Sequence, residues 1–170
     1  GSDFFIIPCA PDYFCYMAIE SLIKVFPRWC STYDNLRKAK VFKNAVYKMN
    51  DTVPKFLGTI QQRYRPRNGS PVKAFSEWID DINKIVAEKL VPVLDDNGML
   101  IQKRTNYNLI NIADFNSLIA QSQMNNTPVF ELTQEQVEKT GSVWVNMKRN
   151  RDDFSVTFET LAKTIIDLTN

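Results

Sequence analysis

Few residues of this chain have the types and spacing that enzyme chemistry requires. The sequence contains no histidine, which excludes histidine triads, histidine general bases and most zinc sites. It has neither a Gly-x-x-x-x-Gly-Lys-Ser/Thr loop nor a Gly-x-Gly-x-x-Gly loop to hold phosphates. Cys9, Cys15 and Cys30 lack metal-ligand spacing and are predicted to be reduced thiols of a cytosolic protein. The sequence therefore predicts no catalytic residues and no metal site.

Two polar side chains stand out because each follows a predicted strand. Asp12 comes after the apolar run Phe4–Pro8, and Gln62 comes directly after Lys55–Gln61. Open α/β sheets bind ligands at the carboxyl ends of their strands, so both residues are candidate ligand contacts. Two simpler interpretations stay open: Asp12 as a plain helix cap, and Gln62 as an exposed turn residue.

Two segments, 35–50 and 62–76, carry basic residues and no acidic residue, although the net charge of the chain is only +2. Unopposed cations bind phosphate groups, so both segments are candidate phosphate contacts, and the second is the main candidate for contact with DNA. A solvated basic face without a ligand is the alternative. The cations of the second segment are Arg63, Arg65, Arg67 and Lys73.

Short apolar runs that alternate with helical patterns predict an α/β fold. The predicted strands are Phe4–Pro8, Lys55–Gln61 and Pro128–Leu132, paired in parallel because helices separate them. The first strand reads as a central strand, since four consecutive large apolar residues suit burial on both faces. We expect a partial doubly wound, mostly parallel sheet flanked by helices. Gly58 suggests the close approach of a backbone segment or of a ligand.

Helices are predicted between and after these strands. The first is capped by Asp12 and ends near Val25, before Pro27. Ser70 and Pro71 are expected to cap and start the clearest amphipathic helix. The later helices are predicted over 35–49, from Pro71 to Val93, over 113–123, over 134–139 with a Thr133 cap, and from an Asp152 or Asp153 cap onward.

The domain organisation follows from length and composition. Gly1-Ser2 is typical of a cloning scar, and residues 3–170 fit a single α/β domain. A complete parallel domain needs neighbours on both sides of a central strand, so we expect this domain to be part of a larger one. No apolar run approaches the roughly 20 residues that span a bilayer, and we expect a cytoplasmic protein.

In several segments the chain resembles the ParA/MinD-type partition ATPases. The segment Asp3–Ile19 ends a strand in Pro-x-x-Pro-Asp-Tyr-Phe, like the strand that follows the Walker B segment of that family. Phe56–Tyr64 is similar to the family's next strand, and Gln62 stands where an Asn usually contacts adenine. Pro128-Val129 matches a Pro-Val strand beside the adenine pocket, and Phe154–Ile166 resembles the closing helix.

The resemblance covers only the carboxy-terminal half of such an ATPase, the C-terminal part of a P-loop NTPase fold. It implies an ATPase of plasmid or chromosome partition that uses ATP and Mg²⁺, forms a homodimer and binds non-specific DNA and a ParB-like partner. The phosphate-binding loop would lie upstream of Asp3, so no cofactor and no ATP turnover are expected of this portion alone. The implied nucleotide contacts are Gln62, Pro128 and Val129, to which the strand-end position adds Asp12.

Two other classes remain as alternatives. The chain fits a stand-alone nucleic-acid-binding or interaction module that uses the basic segments. It also fits a different α/β enzyme, such as a nucleotide-binding transferase without a recognisable loop. A Gly-Lys-rich loop encoded upstream in the same reading frame would distinguish the ATPase from both.

Overall fold

The computed structural model describes residues 2–39, 46, 50–64, 66–67, 70–71 and 73–170, with the backbone alone at 66–67 and 70–71. The strands in chain order are β1 (Phe4–Cys9), β2 (Lys55–Tyr64), β3 (Pro66–Arg67), β4 (Ser70–Pro71) and β5 (Asn108–Ala113). The helices are α1 (Tyr13–Lys38), α2 (Lys73–Ile85), a π-helical segment (Val86–Leu90), α3 (Val91–Asp96), α4 (Ser117–Asn125), a 3-10 turn (Val129–Glu131), α5 (Gln134–Val137) and α6 (Gly141–Thr169).

Three parallel strands form the sheet, in the order β1-β2-β5. Cys9 lies opposite Gln61, and Gln61 lies opposite Asn111, so the carboxyl ends of the strands meet at one edge. The predicted α/β class and the parallel pairing of the first two strands are confirmed. Among the described strands β2 is the middle one and β1 an edge, so the central position predicted for the first strand is not found within this chain.

The third strand lies elsewhere than predicted. Pro128–Leu132 is not a strand: Val129–Glu131 form a 3-10 turn in which the Glu131 N–H donates to the Pro128 carbonyl at 2.9 Å. Val129 and Leu132, three residues apart, are both buried, which is the spacing of residues on one side of a helical turn. In a strand, buried and exposed residues would alternate. The strand that completes the sheet is β5, a segment with no clear pattern in the sequence.

Helix α1 is longer than predicted, because it continues through Pro27 to Lys38. Phe26, the residue before the proline, is buried and packs against Phe5 with ring centroids 5.6 Å apart. This contact anchors the helix on the sheet next to Pro27, which has no backbone N–H to donate within the helix. Residues 35–38 of the predicted second helix belong to α1, and its residues 40–45 and 47–49 lie outside the described residues.

Two further helix starts differ from prediction and two caps are confirmed. Ser70 and Pro71 belong to a strand, and α2 begins at Lys73. Helix α6 begins at Gly141, well before the Asp152 or Asp153 cap that was expected. The predicted caps are present at Asp12 of α1 and at Thr133 of α5, where Thr133 and Gln136 form a reciprocal capping box.

Helices pack on both faces of the sheet. The first face carries Phe5, Ile7 and Cys9 of β1 and is covered by α1, α2 and the helical segments that follow α2. The second face carries Ile60 of β2 with Ile110 and Ile112 of β5, and α4, the 3-10 turn, α5 and α6 pack against it. On β1 the residues that alternate toward the second face are Phe4, Ile6 and Pro8, which lie outside both clusters.

Candidate functional site

The carboxyl ends of the three parallel strands define the edge of the sheet where ligands bind in open α/β folds. Beyond β1 the chain turns through Asp12 into α1, beyond β2 it enters the ribbon of β3 and β4, and beyond β5 it reaches Asp114. The Asp114 N–H donates to the Tyr64 carbonyl at 2.9 Å, which holds the ends of β2 and β5 together. A cavity of about 590 Å³ lies near Lys55, at the edge formed by the amino ends of the strands. Because open α/β sheets bind ligands at the carboxyl ends, we place the candidate site at the carboxyl edge and not at this cavity.

Asp12 forms the turn between β1 and α1. Its Oδ1 accepts a hydrogen bond from the Cys15 N–H at 2.8 Å, and its own N–H donates to the Ala10 carbonyl at 2.8 Å. The side chain is half-buried. The cap uses one of the two carboxylate oxygens, and contact between Asp12 and a nucleotide stays a prediction.

Gln61 and Gln62 point to opposite faces of β2. Gln61 is fully buried on the first face, where its Nε2 donates to Asn83 Oδ1 at 3.4 Å. Within the described residues its Oε1 has no hydrogen-bond partner. Gln62 is half-buried and lies opposite Ile112 on the second face. Sequence analysis selected Gln62 and missed Gln61, although strand alternation alone puts one of two adjacent glutamines on each face.

A polar cavity of about 190 Å³ opens beside the ends of β2 and β5. Its strand-side wall is formed by Tyr64, Asn111, Asp114 and Asn116, and Asp114 Oδ1 accepts the Asn116 N–H at 3.0 Å. Burial raises the pKa of the Tyr64 phenol, so at neutral pH this group is a hydrogen-bond donor. The wall from α6 is formed by Asn150, Asp153, Phe154 and Thr157.

The chemistry of this cavity suits a small molecule with several hydrogen-bonding groups. Amides supply both donors and acceptors, the two carboxylates supply acceptors, and the ring of Phe154 supplies an apolar surface. Sequence analysis did not select any of these residues. The detectable signal was the polar run around Asn111, Asp114 and Asn116, which follows a strand that the sequence did not reveal.

Pro128 and Val129, the other predicted nucleotide contacts, lie on the second-face side of the molecule. Val129 is buried in the same cluster as Phe154 and Ile112, whereas Pro128 is exposed at the start of the 3-10 turn. Neither belongs to the described residues that line the 190 Å³ cavity, and the same holds for Asp12 and Gln62. The structure therefore does not gather the four predicted contacts in this cavity.

The predicted DNA contacts belong to residues 63–73, which contain the paired strands β3 and β4 and which we call the basic ribbon. Arg63 has φ = 64° and sits where the pairing of β2 with β5 shifts register, so a bulge bends the chain out of the sheet. Arg63 and Lys73 are exposed, and Lys73 lies 3.8 Å from Glu77. Arg67 lies opposite Ser70, on either side of the predicted Asn68-Gly69 turn. Arg65, the side chain of Arg67 and residues 68–69 lie outside the described residues.

An apolar groove of about 420 Å³ runs along the outer edge of β1. Its floor includes Phe5, Ile6 and Ile7, and α1 supplies much of the wall. Trp29 at its rim is 59% exposed. The α1 residues that line the groove are Leu22, Phe26, Trp29, Cys30 and Tyr33.

Among the described residues, no group of three or more Cys, Asp or Glu side chains is arranged to hold a metal ion. No described helix combines the length and the apolar character needed to cross a membrane.

No protein-family model, no curated protein and no solved structure matches this chain. The function is therefore inferred from the residues of the carboxyl edge, the basic ribbon and the apolar groove.

Proposed function

We propose that this chain is the C-terminal portion of a ParA-like partition ATPase with a P-loop NTPase fold. In this assignment the carboxyl edge supplies the adenine side of the nucleotide pocket, and the upstream portion supplies the phosphate loop and the Mg²⁺ site. The full-length protein is then a cytoplasmic homodimer that binds non-specific DNA and a ParB-like partner during plasmid or chromosome segregation.

The observation that carries the proposal is the polar cavity at the carboxyl ends of parallel strands. Ligands bind at this edge in open α/β sheets, and a flat heterocycle needs both hydrogen-bonding groups and a ring or alkyl surface. Asn111, Asp114 and Tyr64 supply the polar groups, and Phe154 supplies the ring. Gln62 lies two residues before the end of β2, within the segment that resembles the family's adenine-contacting strand.

The open edge of β1 supports the proposal that the domain is larger than this chain. Among the described residues no strand pairs with the outer edge of β1, and this edge with the apolar groove beside it offers backbone groups and apolar surface to a further strand. In the assigned fold the upstream portion would add its strands along this edge. The exposed apolar residues Phe4 and Trp29 fit the same interpretation.

The decisive experiment combines the reading frame with nucleotide binding. We expect the frame upstream of Asp3 to encode a Gly-Lys-rich loop, and we expect the full-length protein to bind and hydrolyse ATP with Mg²⁺. The 170-residue chain alone should not turn over ATP, because phosphoryl transfer needs the phosphate loop and the metal. An upstream frame without such a loop, or ATP turnover by this chain alone, would reject the assignment.

The adenine-side role has its own test in the full-length protein. Replacing Asn111 by Ala and Asp114 by Ala should each weaken binding of a fluorescent ATP analogue by about tenfold, since a lost hydrogen bond costs about 1–3 kcal/mol. Gln123→Ala, an exposed amide on α4, is the matched control and should leave binding unchanged. Unchanged affinity in both cavity variants would move the nucleotide away from this edge.

The basic ribbon is the proposed DNA contact. An Arg65→Ala, Arg67→Ala double variant of the full-length protein should bind DNA more weakly and lower the slope of log K against log salt by about one unit for each cation lost. Lys103→Ala with Lys163→Ala removes the same charge from other surfaces and is the control, since Lys103 pairs with Asp95 and Lys163 with Glu159. Equal slopes in both double variants would reject the ribbon as the DNA contact.

The stand-alone nucleic-acid-binding module remains the second candidate, favoured by the exposed cations at both ends of the ribbon. Salt-dependent DNA binding by the 170-residue chain, together with an upstream frame that lacks a phosphate loop, would select it over the ATPase.

A further inference from the structure

A cavity of about 520 Å³ is lined by α1 and by the helix that runs from α2 into the π-helical segment. Its volume is within the range of about 300–1,000 Å³ that is typical of small-molecule sites. Tyr13 and Tyr16, one turn apart on α1, form one wall. A second wall is one face of α2 and the π-helical segment, where lining residues recur at helical spacing. The residues of this face include Trp78, Asp81, Ile85 and Glu88.

Three aromatic rings meet in this cavity. The centroid of the Trp78 ring lies 6.2 Å from that of Tyr13 and 6.4 Å from that of Tyr16. Both tyrosine rings are steeply inclined to the indole plane, at 66° and 59°. Tyr16 and Trp78 are half-buried, and Tyr13 is 54% exposed. The three rings therefore form inclined walls instead of a stack, as in the aromatic cages that bind quaternary ammonium groups.

The charged side chains of the lining favour a positively charged ligand. Among the described residues, the carboxylates of Asp81 and Glu88 have no ion-pair or hydrogen-bond partner. Lys89 Nζ lies 3.8 Å from Glu20 Oε1, so its charge is balanced from α1. Lys84 is the other cation of the lining. Two carboxylates and one uncompensated ammonium leave an excess of negative charge beside the rings.

A quaternary ammonium group fits rings and carboxylates together. Its charge is spread over methyl groups, so it contacts the π faces of aromatic rings without hydrogen bonds. A primary ammonium is a compact, strongly hydrated charge that needs acceptors at close range. A metal ion needs clustered ligands, and among the described residues no group of three or more Cys, Asp or Glu side chains is arranged to hold one.

We propose that this cavity binds a quaternary ammonium group, with the rings of Tyr13, Tyr16 and Trp78 around its methyl groups. The carboxylates of Asp81 and Glu88 balance its charge. None of the described residues that line this cavity also lines the 190 Å³ cavity at the carboxyl edge. The site is therefore independent of the proposed nucleotide pocket and of the ATPase assignment.

Titration of the 170-residue chain with choline tests the proposal. The matched probe is the neutral alcohol in which a tert-butyl group replaces the trimethylammonium group, so the shape is kept and the charge is lost. We expect choline to bind about tenfold or more tightly than this alcohol, which makes no cation–π contact. Ring currents should shift the proton resonance of the choline methyl groups upfield on binding. Equal affinity of the two probes, or no shift at millimolar choline, would overturn the proposal.

The same group occurs in small soluble molecules and in lipid headgroups. Sedimentation of the chain with phosphatidylcholine vesicles, reversed by free choline, would assign the ligand to a headgroup. Choline binding without sedimentation would assign it to a small soluble molecule.

Substitutions with matched controls assign the effect to this cavity. Tyr13→Leu should weaken choline binding by about threefold or more. Trp29→Leu removes a ring of similar exposure from the apolar groove beside β1 and should leave binding unchanged. Asp81→Asn should also weaken binding, and Asp80→Asn, at the adjacent exposed position outside the lining, is its control. Native affinity in both Tyr13→Leu and Asp81→Asn would place choline elsewhere and overturn the assignment.

Lys84 separates a cationic ligand from an anionic one. Lys84→Met keeps the length of an exposed side chain and removes its charge, so repulsion of choline decreases. We expect the variant to bind choline about twofold more tightly. Weaker choline binding by Lys84→Met, or binding of inorganic phosphate by the native chain that this variant loses, would show that the cavity recognises an anion and would overturn the proposal. The comparison of choline with its neutral analogue decides the question on the native chain, even if a variant fails to fold.

Discussion

The two faces of the sheet are covered unequally. On the first face a continuous cluster joins β1 and β2 to the helices that cover them, from Cys9 and Phe56 to Ile82 and Leu94, and these four side chains are at most 1% exposed. On the second face the strand residues of the cluster come from β2 and β5, and among the described residues no cluster covers Phe4, Ile6 and Pro8 of β1. The first-face cluster therefore extends over the β1 edge of the sheet, whereas the second-face cluster ends before it.

The outer surfaces of the helices repeat this difference. Helix α6 on the second face has 29 residues, of which only Phe154 and Leu161 are buried. It leaves several branched apolar residues exposed, and large exposed apolar surface marks a site for further packing. These exposed residues are Val143, Val145, Val156 and Ile166. We therefore expect packing on the first face to contribute more of the free energy of unfolding than packing on the second face. In the proposed larger domain, the second face and the β1 edge would pack against the additional residues.

The largest effect is expected from a core isoleucine of the first face. Ile82→Ala removes a side chain that is 0% exposed and should lower the free energy of unfolding by ~2–5 kcal/mol, because the cavity cannot fully collapse. Ile6→Ala on the uncovered part of the second face is the matched variant and should cost about 1 kcal/mol or less. Urea unfolding of both variants measures the difference. Equal losses would mean that the two faces are equally packed.

A similar contrast exists between two glycines. Gly58 in β2 has φ = 150°, and a Cβ there would lie 2.4 Å from the Tyr107 carbonyl oxygen, which is the close approach that the sequence suggested. Gly58→Ala should therefore destabilise the chain by roughly 2 kcal/mol or more. Gly98 follows α3 with φ = 66° and open space around its Cβ position, so Gly98→Ala should cost only the backbone term of about 1 kcal/mol.

Thermal or urea unfolding of the two glycine variants checks this order. If Gly98→Ala were the more destabilising variant, the close contact between β2 and the loop before β5 would not be a constraint on the sheet.

The strands show how far the sequence could predict this fold. Phe4–Pro8 and Lys55–Gln61 were predicted because continuous apolar residues flanked by prolines are typical of buried strands. The strand β5 was missed because Asn108 and Asn111 break its apolar pattern, and their neighbours Ile110 and Ile112 carry the burial. The run at Pro128 was misassigned because a short apolar stretch fits a buried turn as well as a strand.

The bounds of the helices and the residues of the cavity were not predicted for a different reason: both depend on contacts between residues far apart in the sequence. Pro27 stays inside α1 because Phe26 anchors the helix on Phe5, a contact that no local pattern reveals. The polar cavity joins the end of β5 to α6, and those residues are distant in the sequence. The Asp12 cap was predictable because a cap is a local interaction with a residue three positions away.

The smallest of these effects is expected at the Asp12 cap, and it separates the two interpretations of that residue. Asp12→Ala removes the acceptor of the Cys15 N–H on the first-face helix and should lower the free energy of unfolding by about 1 kcal/mol. Asp12→Asn keeps an oxygen at the capping position and is the matched variant, with an expected change of a few tenths of a kcal/mol, since Asn and Asp cap about equally well. Urea unfolding of the 170-residue chain measures both changes.

Nucleotide binding by the full-length protein then tests whether the Asp12 carboxylate also contacts the ligand. If Asp12 is only a cap, Asp12→Asn should bind a fluorescent ATP analogue with native affinity. If the carboxylate contacts the ligand or its metal through the oxygen that the cap leaves, Asp12→Asn should weaken binding by about tenfold or more while stability is retained, because an amide cannot replace a negative charge there. A loss of stability in Asp12→Asn as large as that in Asp12→Ala would contradict the capping role and with it the account of how α1 starts on the first face.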